Sequence, residues 1–187
     1  MKYYLRLIML SVCFGFAGLT ASAQEASRSP VSSRQESETA IRAAVYESAL
    51  AAATGNLQLY RKHVARRTLE LNRLVFEGLR EIPDGKEMLA ENKFDTADKF
   101  FDAMFVQGAS QYAKFSREEL EQRARTQASG SLTFLNEGEA VLRVGSSSLR
   151  LVYEDKEWKV DETESSKELF LKTFPFTEQT RAKIQKL

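Results

Sequence analysis

Histidine and cysteine are nearly missing from this chain: His63 and Cys13 are single occurrences in 187 residues. One of each cannot make a histidine pair or a Cys/His zinc cluster, and one cysteine closes no disulfide within the chain. Tryptophan is equally scarce, and there are only three prolines. Charge of one sign is also lacking, since 27 Lys and Arg face 26 Asp and Glu. That balance argues against nucleic acid as a main partner, because phosphate contacts need a clear basic excess.

The longest apolar run, Leu7 to Leu19, carries Gly15 and Gly18 and falls short of the roughly 20 residues a spanning helix needs. It reads instead as the core of a cleavable export signal. Lys2 and Arg6 precede it, and Ala21-Ser22-Ala23 offers small side chains to a peptidase, with the cut expected before Gln24. A lipoprotein site at Leu10-Ser11-Val12-Cys13 is the alternative. Val12 is bulky for the position before such a cut, and the apolar run continues past Cys13 through Phe14, Phe16 and Leu19. Cleavage after Ala23 removes the cysteine and two positive charges, turning the formal charge from +1 to about −1.

What remains suits one domain, expected over residues 39–187 and ending in an apolar tail. Residues 24–38, QEASRSPVSSRQESE, bury too little to order themselves and read as a flexible linker. A helix is expected from about Thr39 to Thr54, with Ile41, Val45, Ala49 and Ala52 on one stripe and Gly55 ending it. Leu57, Tyr60 and Val64 mark a second helix, and Thr68 to Arg80 a third that stops at the turn residues Ile82-Pro83-Asp84-Gly85. A further helix covers Asp95 to Gln107. Another follows Ser116-Arg117-Glu118-Glu119, which has capping-box spacing.

From Ser131 the period changes to 2. The inward sets are Leu132 and Phe134; Ala140, Leu142 and Val144; Leu149, Leu151 and Tyr153; Trp158 and Val160. Short polar connections between them predict antiparallel neighbours. Helices followed by strands indicate an α+β fold, with N-terminal helices packed on an antiparallel sheet of three to four strands.

The segments AIRAAVYESALAAATGNLQLYRKHV and LRLVYEDKEWKVDE resemble the NTF2-like superfamily, and within it small exported bacterial domains of unknown function. The similarity rests on Gly55-Asn56 and Tyr60 after an Ala-rich helix, and on Asp155 to Asp161 as the last hairpin, where Lys156 stands in place of a common Gly. It spans about Thr39 to Val64 and Ser131 to Glu162; the stretch between is longer and more helical than usual. The resemblance implies a cone-like, curved sheet around a long helix, with a cavity used by some members for ligands, by some for catalysis and by many for protein partners.

No catalytic set, metal site or cofactor is expected. His63 lies within RKHVARR and reads as an exposed helix residue. The basic cluster Arg61, Lys62, His63, Arg66, Arg67 and Arg73 fits a solvated face better than an anion site. Asp95, Asp98 and Asp102 fall between apolar stripe residues, and Asp161 and Glu162 end a strand; neither set has the look of an acid/base pair. The aromatics Tyr46, Tyr60, Phe100, Phe101, Phe105, Phe134 and Trp158 lie at helical or strand spacing and read first as core; should a pocket form, Phe101, Phe105, Phe134 and Trp158 are its expected lining. The apolar tail from Lys167 to Phe176 is expected to dock on its own domain.

These readings lead to an exported, periplasmic or extracellular, non-enzymatic domain that binds a small apolar ligand or an envelope protein, with no nucleic acid partner and no stable membrane insertion after cleavage. The alternatives are a small cavity enzyme using a carboxylate and a tyrosine on an apolar substrate, and a structural homodimer.

Overall fold

The change of period at Ser131 is where the sheet begins. A computed structural model describes residues 31–187; the expected signal peptide and residues 24–30 of the expected linker lie outside the described residues. Among the described residues eight helices and four strands follow one another: α1 Val31–Thr54, α2 Leu57–His63, α3 Arg66–Leu79, α4 Pro83–Glu91, α5 Ala97–Ser110, α6 Arg117–Ala128, β1 Ser131–Asn136, β2 Glu139–Val144, β3 Ser147–Glu154, β4 Glu157–Asp161, α7 Thr163–Thr173 and α8 Glu178–Lys186. The class is α+β. Among the described residues no helix is long and apolar enough to cross a membrane.

The stretch expected as one domain, 39–187, divides between two compact units. Residues 31–65 and Tyr112–Glu162 form a sheet unit; Arg66–Gln111 and Thr163–Leu187 form a helical unit.

In the sheet unit the strands lie in the order β1-β2-β3-β4, all antiparallel, as short hairpins require. Register puts Phe134 opposite Ala140, Ala140 opposite Leu151, and Leu151 opposite Val160, so the inward-facing residues expected from the alternation form one row. Ile41, Ala44 and Val45 of α1 and Ala128 of α6 pack on that face with Leu142 and Trp158. Burying a large side chain of this kind contributes about 1.5–3 kcal/mol. The β3–β4 turn is the two-residue loop Asp155-Lys156, both at positive φ (54° and 66°). That is the type I′ geometry whose twist matches a hairpin, and it forms here without glycine.

Helix α1 starts at Val31, eight residues before Thr39, so part of the expected linker is helical. Side-chain contacts explain the extension. Thr39 Oγ1 donates to Gln35 O at 2.9 Å, Arg42 pairs with Glu38 at 2.8 Å, and the Arg34 guanidinium lies 5.1 Å from the Phe134 ring centroid. Arg42 also reaches the carbonyls of Ala128 (2.6 Å) and Gly130 (3.0 Å), tying α1 to the end of α6. A polar composition that looked loose thus gains order from partners far along the chain.

At the start of α6 the capping box is complete: Glu119 N donates to Ser116 Oγ at 3.2 Å and Ser116 N donates to the Glu119 carboxylate at 2.7 Å. Ser116→Ala is expected to cost about 1 kcal/mol, measured by urea unfolding.

In the helical unit, Leu71, Val75, Phe76 and Leu79 of α3 meet Phe100 and Met104 of α5 and Phe170 of α7. Phe174 and Phe176, between α7 and α8, and Ile184 of α8 complete the same core. The expected docking of the tail is therefore seen within this unit. Gly78 permits the approach of α8, since a Cβ there would lie 2.5 Å from Thr180 Cγ2 and 2.8 Å from Phe176 Cδ1. Helix α4 stands where the sequence suggests only a turn. Pro83 occupies its first turn, where a missing N–H costs nothing, so Pro-Asp-Gly opens a helix here.

Candidate functional site

Among the described residues two places bring chemically distinctive groups together, one in each unit. In the sheet unit, Gly55 at φ 71° turns the chain out of α1, and Asn56 caps α2 by accepting from Leu59 N at 3.2 Å. The last turn of α2 then carries Tyr60 and His63. Beyond it the chain becomes extended: Val64 bridges Val160 in parallel, and Ala65 N donates to Val160 O at 2.9 Å. This addition to the edge of β4 sets Tyr60 beside the strand's end, where its hydroxyl donates to Glu162 Oε2 at 2.7 Å.

Loss of water around the Glu162 carboxyl pushes its pKa up to about 7. The Tyr60 hydrogen bond opposes that rise, and the neighbouring Asp161 carboxylate adds to it. A carboxyl that exchanges its proton near neutrality beside a phenol is suited to general acid/base work. The sequence gives no sign of this contact, because the pairing of Tyr60 with Glu162 spans 102 residues and has no local signature.

His63 is buried, not exposed as its basic neighbours suggest, and its Nε2 lies 2.6 Å from Glu47 Oε2. The flanking arginines and lysines made the segment look like a solvated face, but the turn into Val64 carries the imidazole inward. The rest of the basic cluster is largely neutralised within the chain. Lys62 lies 4.0 Å from Glu157, Arg67 lies 3.4 Å from Glu164, and Arg73 pairs with Glu70 at 2.7 Å and Glu77 at 3.8 Å.

The four expected pocket aromatics fall into two pairs in different units. Phe134 meets Trp158 edge-on at 6.1 Å, and Trp158 also meets Tyr153 at 5.4 Å, all as part of the packing of the sheet. Phe101 and Phe105, both buried on α5, lie 6.3 Å apart. Asp95 is exposed and takes a 2.7 Å hydrogen bond from Lys99, which holds its carboxyl below the ordinary range.

The second place is an open groove of about 550 Å³ in the helical unit, lined by Arg80, Lys86, Leu89, Ala90, Lys93, Phe94 and Asp95. None of the four aromatics expected to line a pocket contributes to it. Helix α4 and its C-terminal turn build one wall. Phe94 N donates to Leu89 O at 2.9 Å and Lys93 N to Ala90 O at 3.1 Å, with Lys93 at φ 56°. This is a Schellman ending with lysine in the position where glycine is usual. Because the groove depends on α4, which reads as a turn in the sequence, it was not visible there.

Among the described residues no three His, Cys, Asp or Glu side chains come together in a way that would hold a metal ion. Among the described residues the exposed large apolar side chains, Val106, Leu135 and Tyr153, lie on three different elements. Comparison with family models, with curated proteins and with solved structures finds no match to this chain.

Proposed function

We propose that this chain is an exported, non-enzymatic binding domain, related to the NTF2-like superfamily, that holds a small ligand in the groove of its helical unit. The observation that carries the reading is the groove itself: three cationic side chains and an apolar lining around a space of about 550 Å³. That volume lies within the range of small-molecule sites, which combine apolar walls with a few convergent polar groups. Export rests on the tripartite pattern of residues 1–23, and the family relation on the Ala-rich helix, the antiparallel meander and the last hairpin with Trp158 on its second strand.

A second reading, acid/base catalysis by Glu162 with Tyr60, is favoured by the 2.7 Å hydrogen bond and the carboxyl pKa of about 7. The two separate in one experiment. Protein recovered from the envelope fraction of its own cells is expected to begin at Gln24 and to show, in native mass spectrometry, a small-molecule adduct that Arg80→Gln with Lys86→Gln removes and Glu162→Gln leaves in place. An adduct indifferent to the groove substitutions would overturn the site. A substrate consumed by the wild type but not by the Glu162 variant would establish the enzyme instead.

A further inference from the structure

The charge pattern of the groove narrows its ligand. Three cations, Arg80, Lys86 and Lys93, share the lining with one acid, Asp95, and that acid is already held by Lys99 at 2.7 Å. Arg80, Lys86 and Lys93 form no ion pair among the described residues. Arg80 lies 5.9 Å from the Phe76 ring centroid, a contact that leaves its N–H donors unused. The acids of α4, Asp84, Glu87 and Glu91, are not part of the lining.

Lys93 adds a second observation. Its left-handed backbone would be easier for glycine, and a Cβ there carries an energetic cost. Lys93 is nonetheless a lysine, and it is one of the residues that line the groove. Strain retained at a cleft is a recurrent mark of a ligand site.

Resting on the binding-domain reading above, we propose that the groove takes a small amphipathic phosphate monoester. Its apolar body packs against Leu89, Ala90 and Phe94, and its dianionic head is shared by Arg80, Lys86 and Lys93. A single carboxylate would leave most of the cationic charge uncompensated. A phosphate matches both the charge and the planar fork of Arg80.

The test uses decyl phosphate below its micellar concentration, titrated calorimetrically into the full mature chain, with decanol, decanoate and inorganic phosphate as comparison probes. Saturable binding of one decyl phosphate per chain is expected, weakening with added salt and falling roughly tenfold or more when Arg80→Gln is combined with Lys86→Gln. Lys93→Gly preserves the left-handed turn, so it is expected to raise the melting temperature while weakening decyl phosphate binding. A structural role alone would give the first effect without the second.

Equal binding of decanol or decanoate would overturn the proposal, as would unchanged affinity in the groove variants. So would association only with vesicles of anionic lipid, or only with acidic peptides, in place of the free ester. A native adduct of another chemical class, lost in the groove variants, would refute the phosphate ester and leave the binding domain standing. The absence of any adduct, together with no decyl phosphate binding, would end both.

Discussion

Phe170→Ala is expected to destabilise the helical unit by about 3–5 kcal/mol, a loss that approaches the whole stability of many small domains. Phe170 is 1% exposed and stacks on Phe174 at 6.5 Å, and Phe174 in turn meets Phe176 at 5.4 Å. Removing the ring leaves a cavity in the core it shares with Leu71, Val75 and Phe100, residues from a segment that precedes it by about seventy positions or more. Hydrogen exchange read by mass spectrometry provides the check. Protection in α3 and α5 is expected to fall together with protection in α7, because the three share one core. Retained protection in α3 and α5 would show that α7 is only a docked accessory. Leu169→Ala, at a partly exposed neighbouring position, serves as the comparison and is expected to cost much less.

Glu162→Gln is the second large effect, and it depends on pH. The folded carboxyl titrates at about 7 against an ordinary value of 4.5, so the folded state binds the proton more tightly than the unfolded state. The stability contributed by the protonated form is fully present below about pH 4.5 and is lost as pH rises through about 7. The full change is on the order of 3 kcal/mol, since each tenfold gain in proton affinity on folding is worth about 1.4 kcal/mol. With glutamine at 162, unfolding free energy is expected to stay level across that window and to exceed the wild type at pH 8. Tyr60→Phe removes the hydrogen bond that favours the ionised form, so the fall should move to higher pH.

Glu81, Asp95 and Glu119 act at the opposite end. Their carboxyls are lowered, first by hydrogen bonds from Thr177, Lys99 and the Ser116 backbone respectively, so what they contribute is lost on acidification below the usual carboxylate range. The two windows are separate. A wild-type profile that declines between pH 5 and 8 and flattens in the glutamine variant would confirm the assignment; parallel profiles would refute it.

The sheet was almost fully legible in the sequence. Alternation from Leu132 to Val160 specified both the strands and their inward faces, because slipping the register by one residue would turn the inward apolar set outward. Two neighbours in β3 depart: Tyr153 remains half exposed while still touching Trp158, and Val152, on the opposite face, is buried. Helices with a strong local signal, such as α6 behind its capping box, were equally plain. What escaped depended on partners far along the chain. Arg34 reaching Phe134 helps to extend α1 into polar sequence, and the course of the chain after α2 buries a histidine set among cations. At Pro83 the failure was local: the residues of a turn are also those that begin a helix, and only the apolar demand of Leu89 on the core distinguishes the two. Neither candidate site was legible for the same reasons, since one needs α4 and the other a contact between positions 60 and 162.

The interleaving of the two units has a consequence for the order in which the chain can fold. Residues 66–111 supply most of the apolar surface of the helical unit, yet Phe170, Phe174, Phe176 and Ile184 complete its core only after the whole sheet unit has been made. On a chain that emerges from its N-terminus, α3 and α5 must wait with Leu71, Val75, Phe76 and Phe100 uncovered while more than fifty further residues appear. A product that stalls before Phe170 therefore keeps these side chains exposed, available to chaperones and proteases, and a late cue releases the last large step of burial.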